Sequence, residues 1–477
     1  MSVKGTTTKH QNKENKDNMG LLRHNNVHVI VLPYPSQGHI NPLLQFAKRL
    51  ASKGVKATIA TTHYTANTIN APNVEVEPIS DGFDQHGFAQ AKNVELFLTS
   101  FRTNGSRTLS DLIEKFQHTS NPVTCIVYDS FLPWALDVAK QHGLYGASFF
   151  TNSAAVCNIF CRIHHGSIEL PVKMEDLPLG VPGLPLLNCQ DLPSFIRFPQ
   201  SYPAYMAMKL SQFSNLNKAD WMFVNTFEAL EGEVVKGLTE LCPAKMIGPM
   251  VPSGYLDGRI KEDKGYGASL WKPLSEDCIK WLETKASQSV VYISFGSMVS
   301  LTAEQMEEVA LGLKESGVSF LWVLRESEHS NLPHGFRDSI KEKGLIVTWC
   351  NQLELLAHQA IGCFVSHCGW NSTLESLSLG VPVVCLPQWA DQLPDAKFLE
   401  DIWEVGVRPK EDEKEVVRKQ EFVKSLKVVL EGKRSQEIRS NAGKWMKLAR
   451  EAVGEGGSSD KNINDFVKTL MNADIKS

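Results

Sequence analysis

The chain has 477 residues, with 49 basic against 53 acidic side chains, a formal net charge of −4 and 42% apolar composition. That length accommodates two or three domains with sizeable cores, and a near-neutral balance without a basic stripe or acidic tail argues against nucleic acid and anionic membranes as partners. No apolar run reaches the roughly 18 residues a membrane span needs, and residues 1–26 lack the layout of a signal sequence, so a soluble, cytoplasmic protein is expected.

Residues 1–26 are rich in Lys, Asn, Gln and Thr and predict a disordered tail. From residue 27, short β-branched runs alternate with amphipathic stretches, the pattern of parallel sheets covered by helices. The first set is VHVIVLP, VKATIATT, VEVEPIS, TCIVYDS, ASFFTNS and WMFVNTF. VHVIVLP leads into PYPSQGHINPLL, where Gly38 permits a tight turn and Pro42 suits the opening turn of a helix. His39 is then expected on a loop facing a cleft. Asp129, ending TCIVYDS, is placed to reach that imidazole and fix its tautomer, or to cap the helix that follows. Phe83, Phe149, Phe150 and Phe195, with the later Trp389, are candidates to line a pocket for a lipophilic molecule, though side chains like all but Trp389 are more often core than pocket.

Residues 248–273, rich in Gly, Pro and charge, read as a linker between an N-terminal domain over 27–247 and a C-terminal one over 274–453. The second set of strands is SVVYISFGS, SFLWVLRE, GLIVTWC, GCFVSHC and VPVVCLP. Two open α/β domains facing one another place ligands in the crevice outside the strand carboxyl ends. No G-x-G-x-x-G follows a strand, which argues against a nicotinamide or flavin oxidoreductase. The ten cysteines are scattered without C-x-x-C spacing and read as small buried hydrophobes in a reducing compartment, with no zinc site.

The run 349–392, WCNQLELLAHQAIGCFVSHCGWNSTLESLSLGVPVVCLPQWADQ, is the most informative part of the chain. Trp349 follows an apolar strand, and a flat aromatic there can stack a nucleobase, a contact worth about 1–3 kcal/mol that tolerates any base. Selecting one base needs hydrogen bonds beside it, expected from the Cys350 backbone. A second strand runs into SHCGWNS, where the chain should turn on Gly369 and enter a helix. The first turn of that helix offers Asn371, Ser372 and free N–H groups, which suits a diphosphate, with His367 as a further donor. Ser372-x-x-Glu375 fits a capping box, the reading that spacing favours; a carboxylate there can equally accept two ribose hydroxyls. Asp391 and Gln392 can grip vicinal sugar hydroxyls.

This run closely resembles the donor-binding box of plant secondary-product UDP-glycosyltransferases. Trp349, Gln352, His358, His367, Cys368, Gly369, Trp370, Asn371, Ser372, Glu375, Pro382, Asp391 and Gln392 all stand where the family's pattern places them. The likeness extends from residue 27 to the C-terminus and implies the GT-B fold, two facing Rossmann-like domains, with 454–477 as a last helical segment crossing back to the first domain. It implies that Trp349 stacks uracil, that Gln352 and Glu375 hold the ribose, and that His367, Asn371 and Ser372 hold the phosphates. Trp370, Asp391 and Gln392 would hold the sugar, Gln392 favouring UDP-glucose, and Thr151 would lie near the sugar's 6-hydroxyl.

GHINP and YDS match the family's catalytic histidine and its charge-stabilising acid, a resemblance that implies His39 as the general base and Asp129 as its partner in an inverting transfer. Ser297, in the SFGS turn, would help meet leaving-group charge. UDP-glucose is then a co-substrate, and no bound cofactor or metal is expected; the chain holds no Asp-x-Asp. ISDGFD, VPSGYLDGRIKEDK and EGGSSDKNI resemble the branch acting on salicylate, indole-acetate, thiohydroximates and terpenoids. The expected acceptor is therefore a small lipophilic acid, phenol, thiohydroximate or terpenoid alcohol, and the expected state a monomer. Two departures stand out: Asn351 replaces the usual proline and is expected to face no ligand, and Leu393-Pro394-Asp395 is expected to reshape the wall beside the sugar. A catalytically silent nucleotide-sugar-binding protein would keep the donor run and lose the His39–Asp129 pair. A hydrolase built on His367 and Cys368 is disfavoured because adjacent residues seldom pair as base and nucleophile.

Overall fold

Apolar β-branched runs that are buried on both faces can persist only where helices cover both sides of a parallel sheet. The computed structural model, which describes residues 27–268 and 274–473, contains two such sheets. The first comprises β1 (His28–Leu32), β2 (Lys56–Thr62), β3 (Glu75–Ile79), β4 (Cys125–Asp129), β5 (Tyr145–Phe150), β6 (Trp221–Val224) and β7 (Ala244–Met246), in the order β3-β2-β1-β4-β5-β6-β7. The second comprises β8 (Val290–Ser294), β9 (Ser319–Val323), β10 (Gly344–Val347), β11 (Ile361–Ser366), β12 (Val383–Cys385) and β13 (Gly406–Val407), in the order β10-β9-β8-β11-β12-β13. The strand order reverses between β1 and β4 in one sheet and between β8 and β11 in the other, and ligands of open α/β sheets bind at such switch points. Among the described residues no helix is long and apolar enough to cross a membrane.

Each strand read from sequence is present, whereas β7 and β13, of three and two residues, are too short for any periodic pattern to announce. Other details differ. His39 is not on a loop: the helix Gln37–Ser52 begins before it and Pro42 lies inside, past the first turn. The left-handed residue before the second-domain helix is Cys368, with φ 65°, while Gly369 has ordinary extended dihedrals. Gly369 is needed for space instead, since a Cβ there would stand 2.6 Å from His367 Nε2.

The supposed linker is packed rather than loose over the part described. Met250 and Val251 are buried, and the Asp263 carboxylate accepts hydrogen bonds from Lys48 Nζ at 2.9 Å, Gln45 Nε2 at 2.6 Å and the Ser253 amide at 2.7 Å. A polar network of this kind leaves no apolar period, which is why the stretch reads as linker. The last helix, Ser458–Asn472, lies against the first sheet: Phe466 meets Phe223 and Trp221 edge-on at 5.1 and 4.9 Å. Asn462 Nδ2 donates to the Met246 carbonyl at 2.7 Å. The expected tail over 1–26 lies outside the described residues.

The two sheets share one apolar cluster that includes Phe150, Val224 and Phe227 from the first half and Trp370, Trp403 and Trp445 from the second. Buried indole N–H groups need acceptors. Trp370 donates to the Asn225 carbonyl at 2.8 Å, Trp403 to that of Leu230 at 3.3 Å, and Trp445 to that of Trp403 at 3.0 Å.

Candidate active site

The switch points of both sheets open onto one cleft of about 810 Å³. On the first-domain wall, His39 sits in the first turn of Gln37–Ser52, directly after β1, and Asp129 ends the neighbouring β4. Their parallel pairing brings the two side chains together: His39 Nδ1 lies 2.7 Å from Asp129 Oδ2. Asp129 is fully buried and its other oxygen accepts from the Phe131 amide at 3.0 Å, so one carboxylate both shapes the turn and orients the imidazole. It does not cap the next helix, whose first residue is preceded by Pro133. Because Nδ1–H is the ring's donor to a carboxylate, Nε2 is left as the acceptor available to the cleft. Thr151 Oγ1, at the end of β5, lies 3.1 Å from the same Nδ1. Phe131 and Tyr34 flank the imidazole, with ring centroids 4.6 and 5.4 Å away.

The opposite wall is built from the second domain. The helix Trp370–Leu379 starts at an extended Gly369, so the amides of its first turn lack partners within the helix. No capping box forms. Glu375 is 4% exposed; its Oε1 accepts from Tyr266 Oη at 2.9 Å and its Oε2 from Gln352 Nε2 at 2.6 Å. Gln352 Nε2 also donates to Ser372 Oγ at 3.0 Å, and Tyr292 Oη donates to Gln352 Oε1 at 3.1 Å. Burial pushes the Glu375 carboxyl up to about 7, against the opposing pull of the Gln352 and Tyr266 hydrogen bonds. Burial likewise lowers His367 to about 4, with Asp391 and the Ser294 backbone pulling the other way, so at neutral pH it is an uncharged imidazole offering one N–H. Its ring is enclosed by backbone: Gly296, at φ 72°, would place a Cβ 2.9 Å from Nε2.

Trp349, Cys350, Ser297, Asn371, Asp391 and Gln392 all line the cleft. The Cys350 thiol is buried and packs 3.5 Å from Tyr292 Oη. Gln392 Oε1 accepts from the amides of Gln388 and Trp389 at 2.9 and 3.1 Å, which leaves its NH₂ for a ligand. The Trp370 indole is committed to Asn225, so only its backbone faces the cleft as a donor.

Three acceptor-pocket expectations fail on packing. Phe149 and Phe150 are fully buried in two cores on opposite faces of the first sheet, and Phe83 stacks on Phe97 at 6.0 Å outside the cleft lining. Consecutive strand residues point to opposite faces and neither points along the strand into the crevice. Phe195 and Trp389 do line the cleft, 5.6 Å apart and nearly perpendicular, with Tyr205 stacked on Phe195 at 5.7 Å. Asn351 also lines it, contrary to expectation, whereas Leu393 and Pro394 are buried away from it and Asp395 accepts from Ser153 Oγ at 2.7 Å.

Several residues and contacts at or behind the cleft carried no sequence signal. Tyr266 comes from the segment read as linker. Arg325 props the SFGS turn by donating to the Ser297 carbonyl at 2.8 Å and to Ser300 Oγ at 2.7 Å. Asn371 Nδ2 donates across the cleft to the Gly38 carbonyl at 2.6 Å, one residue before His39. That carbonyl is the one Pro42, having no N–H, cannot engage in an i to i−4 bond. Among the described residues no group of His, Cys, Asp and Glu is arranged to hold a metal.

Comparison with known proteins identifies the architecture. The family described as UDP-glucoronosyl and UDP-glucosyl transferase matches residues 251–445, and that described as glycosyltransferase, N-terminal domain, matches residues 25–103. UDP-glycosyltransferase 74B1 of Arabidopsis thaliana is 52% identical over 452 residues, covering 93% of this chain and 97% of the relative. Mogroside I-E synthase of Siraitia grosvenorii is 47% identical over 449 residues, covering 93% and 98%. Os79 from O. sativa, solved in complex with UDP, aligns with a TM-score of 0.88 at 38% identity over 93% of this chain and 100% of that chain. Two parallel-sheet domains facing across a cleft are thus the GT-B fold of glycosyltransferases. The chain belongs to the plant family 1 UDP-glycosyltransferases, enzymes that take a UDP-sugar as donor co-substrate.

Proposed function

We propose that the enzyme transfers glucose from UDP-glucose, with inversion, to a small lipophilic plant metabolite (a carboxylic acid, phenol, thiohydroximate or terpenoid alcohol), with His39 as general base. The observation that carries this reading is the 2.7 Å His39–Asp129 pair on the cleft wall facing the helix start at Asn371. A binding protein without catalysis has no use for an imidazole whose tautomer is held by a buried carboxylate.

In this reading Trp349 stacks the uracil, with the Cys350 backbone beside it. Glu375 accepts the ribose hydroxyls with Gln352 alongside. Asn371, Ser372, His367 and Ser297 receive the phosphates together with the first-turn amides, where the helix end favours negative charge. The Trp370 backbone, Asp391, Gln392 and Thr151 position the glucose.

The acceptor oxygen or sulfur attacks the anomeric carbon from the face opposite UDP; a hydroxyl or thiol gives its proton to His39 Nε2, whereas a carboxylate arrives already ionised. The bond from that carbon to the β-phosphate oxygen breaks, and its electron pair leaves with UDP. A single displacement converts the α-linked donor into a β-glucoside. Asp129 steadies the imidazolium, and base assistance of this kind contributes about 10²–10⁴-fold.

His39→Ala should retain UDP binding by calorimetry while turnover of a phenol falls by about 10²-fold or more. Undiminished phenol turnover would remove His39 from the base role. Mass spectrometry of products from a mixed acceptor panel, with anomeric configuration by NMR, tests the transfer itself; an α-glucoside would end the inverting reading.

A further inference from the structure

On the helix Pro203–Ser211, Tyr205, Met208 and Lys209 stand at i, i+3 and i+4, and all three line the cleft. Lys209 is 6% exposed, in a position where a helix ordinarily presents an apolar side chain. Its Nζ lies 4.8 Å from the centre of the Phe131 ring and 5.9 Å from that of Phe160. No ion pair or hydrogen bond of its ammonium occurs among the described residues.

The acids nearby do not balance it. Asp129 is committed to His39 and the Phe131 amide. Asp395, close enough to feel the lysine, is pushed well above the usual carboxylate range by burial and by Asp391, and is engaged by Ser153 Oγ at 2.7 Å. A ring face attracts a cation, but by less than desolvating an ion costs. Phe131 is also the ring that lies 4.6 Å from the His39 imidazole, so the ammonium and the base have a common neighbour at the acceptor side of the cleft.

We infer that Lys209 selects the acceptor: it is an internal counter-ion for a small molecule that enters as a carboxylate, whose apolar body lies among Phe195, Tyr205 and Trp389. This deepens the glucosyl-transfer reading and rests on it. The carboxylate oxygen forms the new bond to the anomeric carbon, the bond from that carbon to UDP breaks, and its electron pair leaves with UDP. No proton moves, because the acceptor arrives ionised, and the product is a glucose ester. A lysine in place of an apolar residue is then what separates acids from neutral molecules of the same shape.

The test compares 3-phenylpropanoate with 3-phenylpropan-1-ol at saturating UDP-glucose, using the wild-type enzyme, Lys209→Met and Lys209→Arg. UDP release gives rates, and mass spectrometry before and after mild alkali identifies esters. In the wild type the acid should exceed the alcohol in kcat/KM. That ratio should fall by about tenfold or more in Lys209→Met and be largely kept in Lys209→Arg. An alcohol preference in the wild type, or an unchanged ratio in Lys209→Met, overturns the proposal. Should Lys209→Met not fold, Lys209→Gln serves for the same comparison. Calorimetric titration of 3-phenylpropanoate into the UDP-bound wild type and each variant judges the counter-ion independently of turnover. Binding that depends on residue 209 without glucosyl transfer would refute the transfer reading alone; acid binding indifferent to residue 209 would refute the counter-ion.

Discussion

Glu375 shows how a buried carboxyl lining the cleft can work against the stability of the protein that carries it. Its carboxyl is raised to about 7 because burial outweighs the hydrogen bonds from Gln352 and Tyr266. A carboxyl raised in the fold stabilises the protein fully below its unfolded value, and that contribution is lost as pH rises through the folded value. Glu375→Gln should therefore gain stability relative to the wild type by about 3 kcal/mol at most at pH 8 and by little near pH 4.5. Urea melts at the two pH values would check this, and a difference that shrank with rising pH would contradict it. The same substitution should weaken UDP-glucose binding by about tenfold or more, since an amide oxygen replaces a charged acceptor. For the wild type, calorimetric affinity for UDP should rise as pH climbs through 7, where the carboxylate becomes available to the ribose.

At the scale of elements, the helix Gln37–Ser52 and the helix Trp370–Leu379 are joined by one hydrogen bond, from Asn371 Nδ2 to the Gly38 carbonyl. Pro42→Ala would supply an N–H that competes for this carbonyl. The expected outcome is a several-fold lower kcat with UDP affinity changed by less, read from steady-state kinetics and calorimetry; identical kinetics would show that the carbonyl does not matter. This contact also marks the limit of sequence reading. The strands, the two-sheet class and the residues of 349–392 were legible because apolar runs and a dense motif each carry local signal. Phe149 and Phe150 were misplaced because an aromatic at a strand end looks the same whether it turns into a core or into the crevice. Tyr266, Arg325 and Lys209 carried no signal, since a lone polar residue acquires its role only from elements distant in sequence. Glu375 was legible as two alternatives; the capping box does not form, and its carboxylate instead accepts from Tyr266, 109 residues away, a contact no local pattern announces.

At the scale of the whole molecule, the last helix completes the first domain although it follows the second in sequence. Phe466 is 2% exposed and packs on Phe46, Trp221 and Phe223. Phe466→Ala should cost about 3–5 kcal/mol, measured by urea unfolding; a loss under 1 kcal/mol would mean that the helix is an accessory. The indoles of Trp370 and Trp403 reach carbonyls of the other half, within an apolar cluster common to both. Chains with two domains commonly melt in steps, but here neither half can lose its structure without stripping the other of buried surface and acceptors. The enzyme should accordingly melt as one cooperative unit, with calorimetric and van't Hoff enthalpies in agreement. An isolated 27–247 fragment would expose the tryptophan-facing side of its core and should aggregate rather than persist as a folded half.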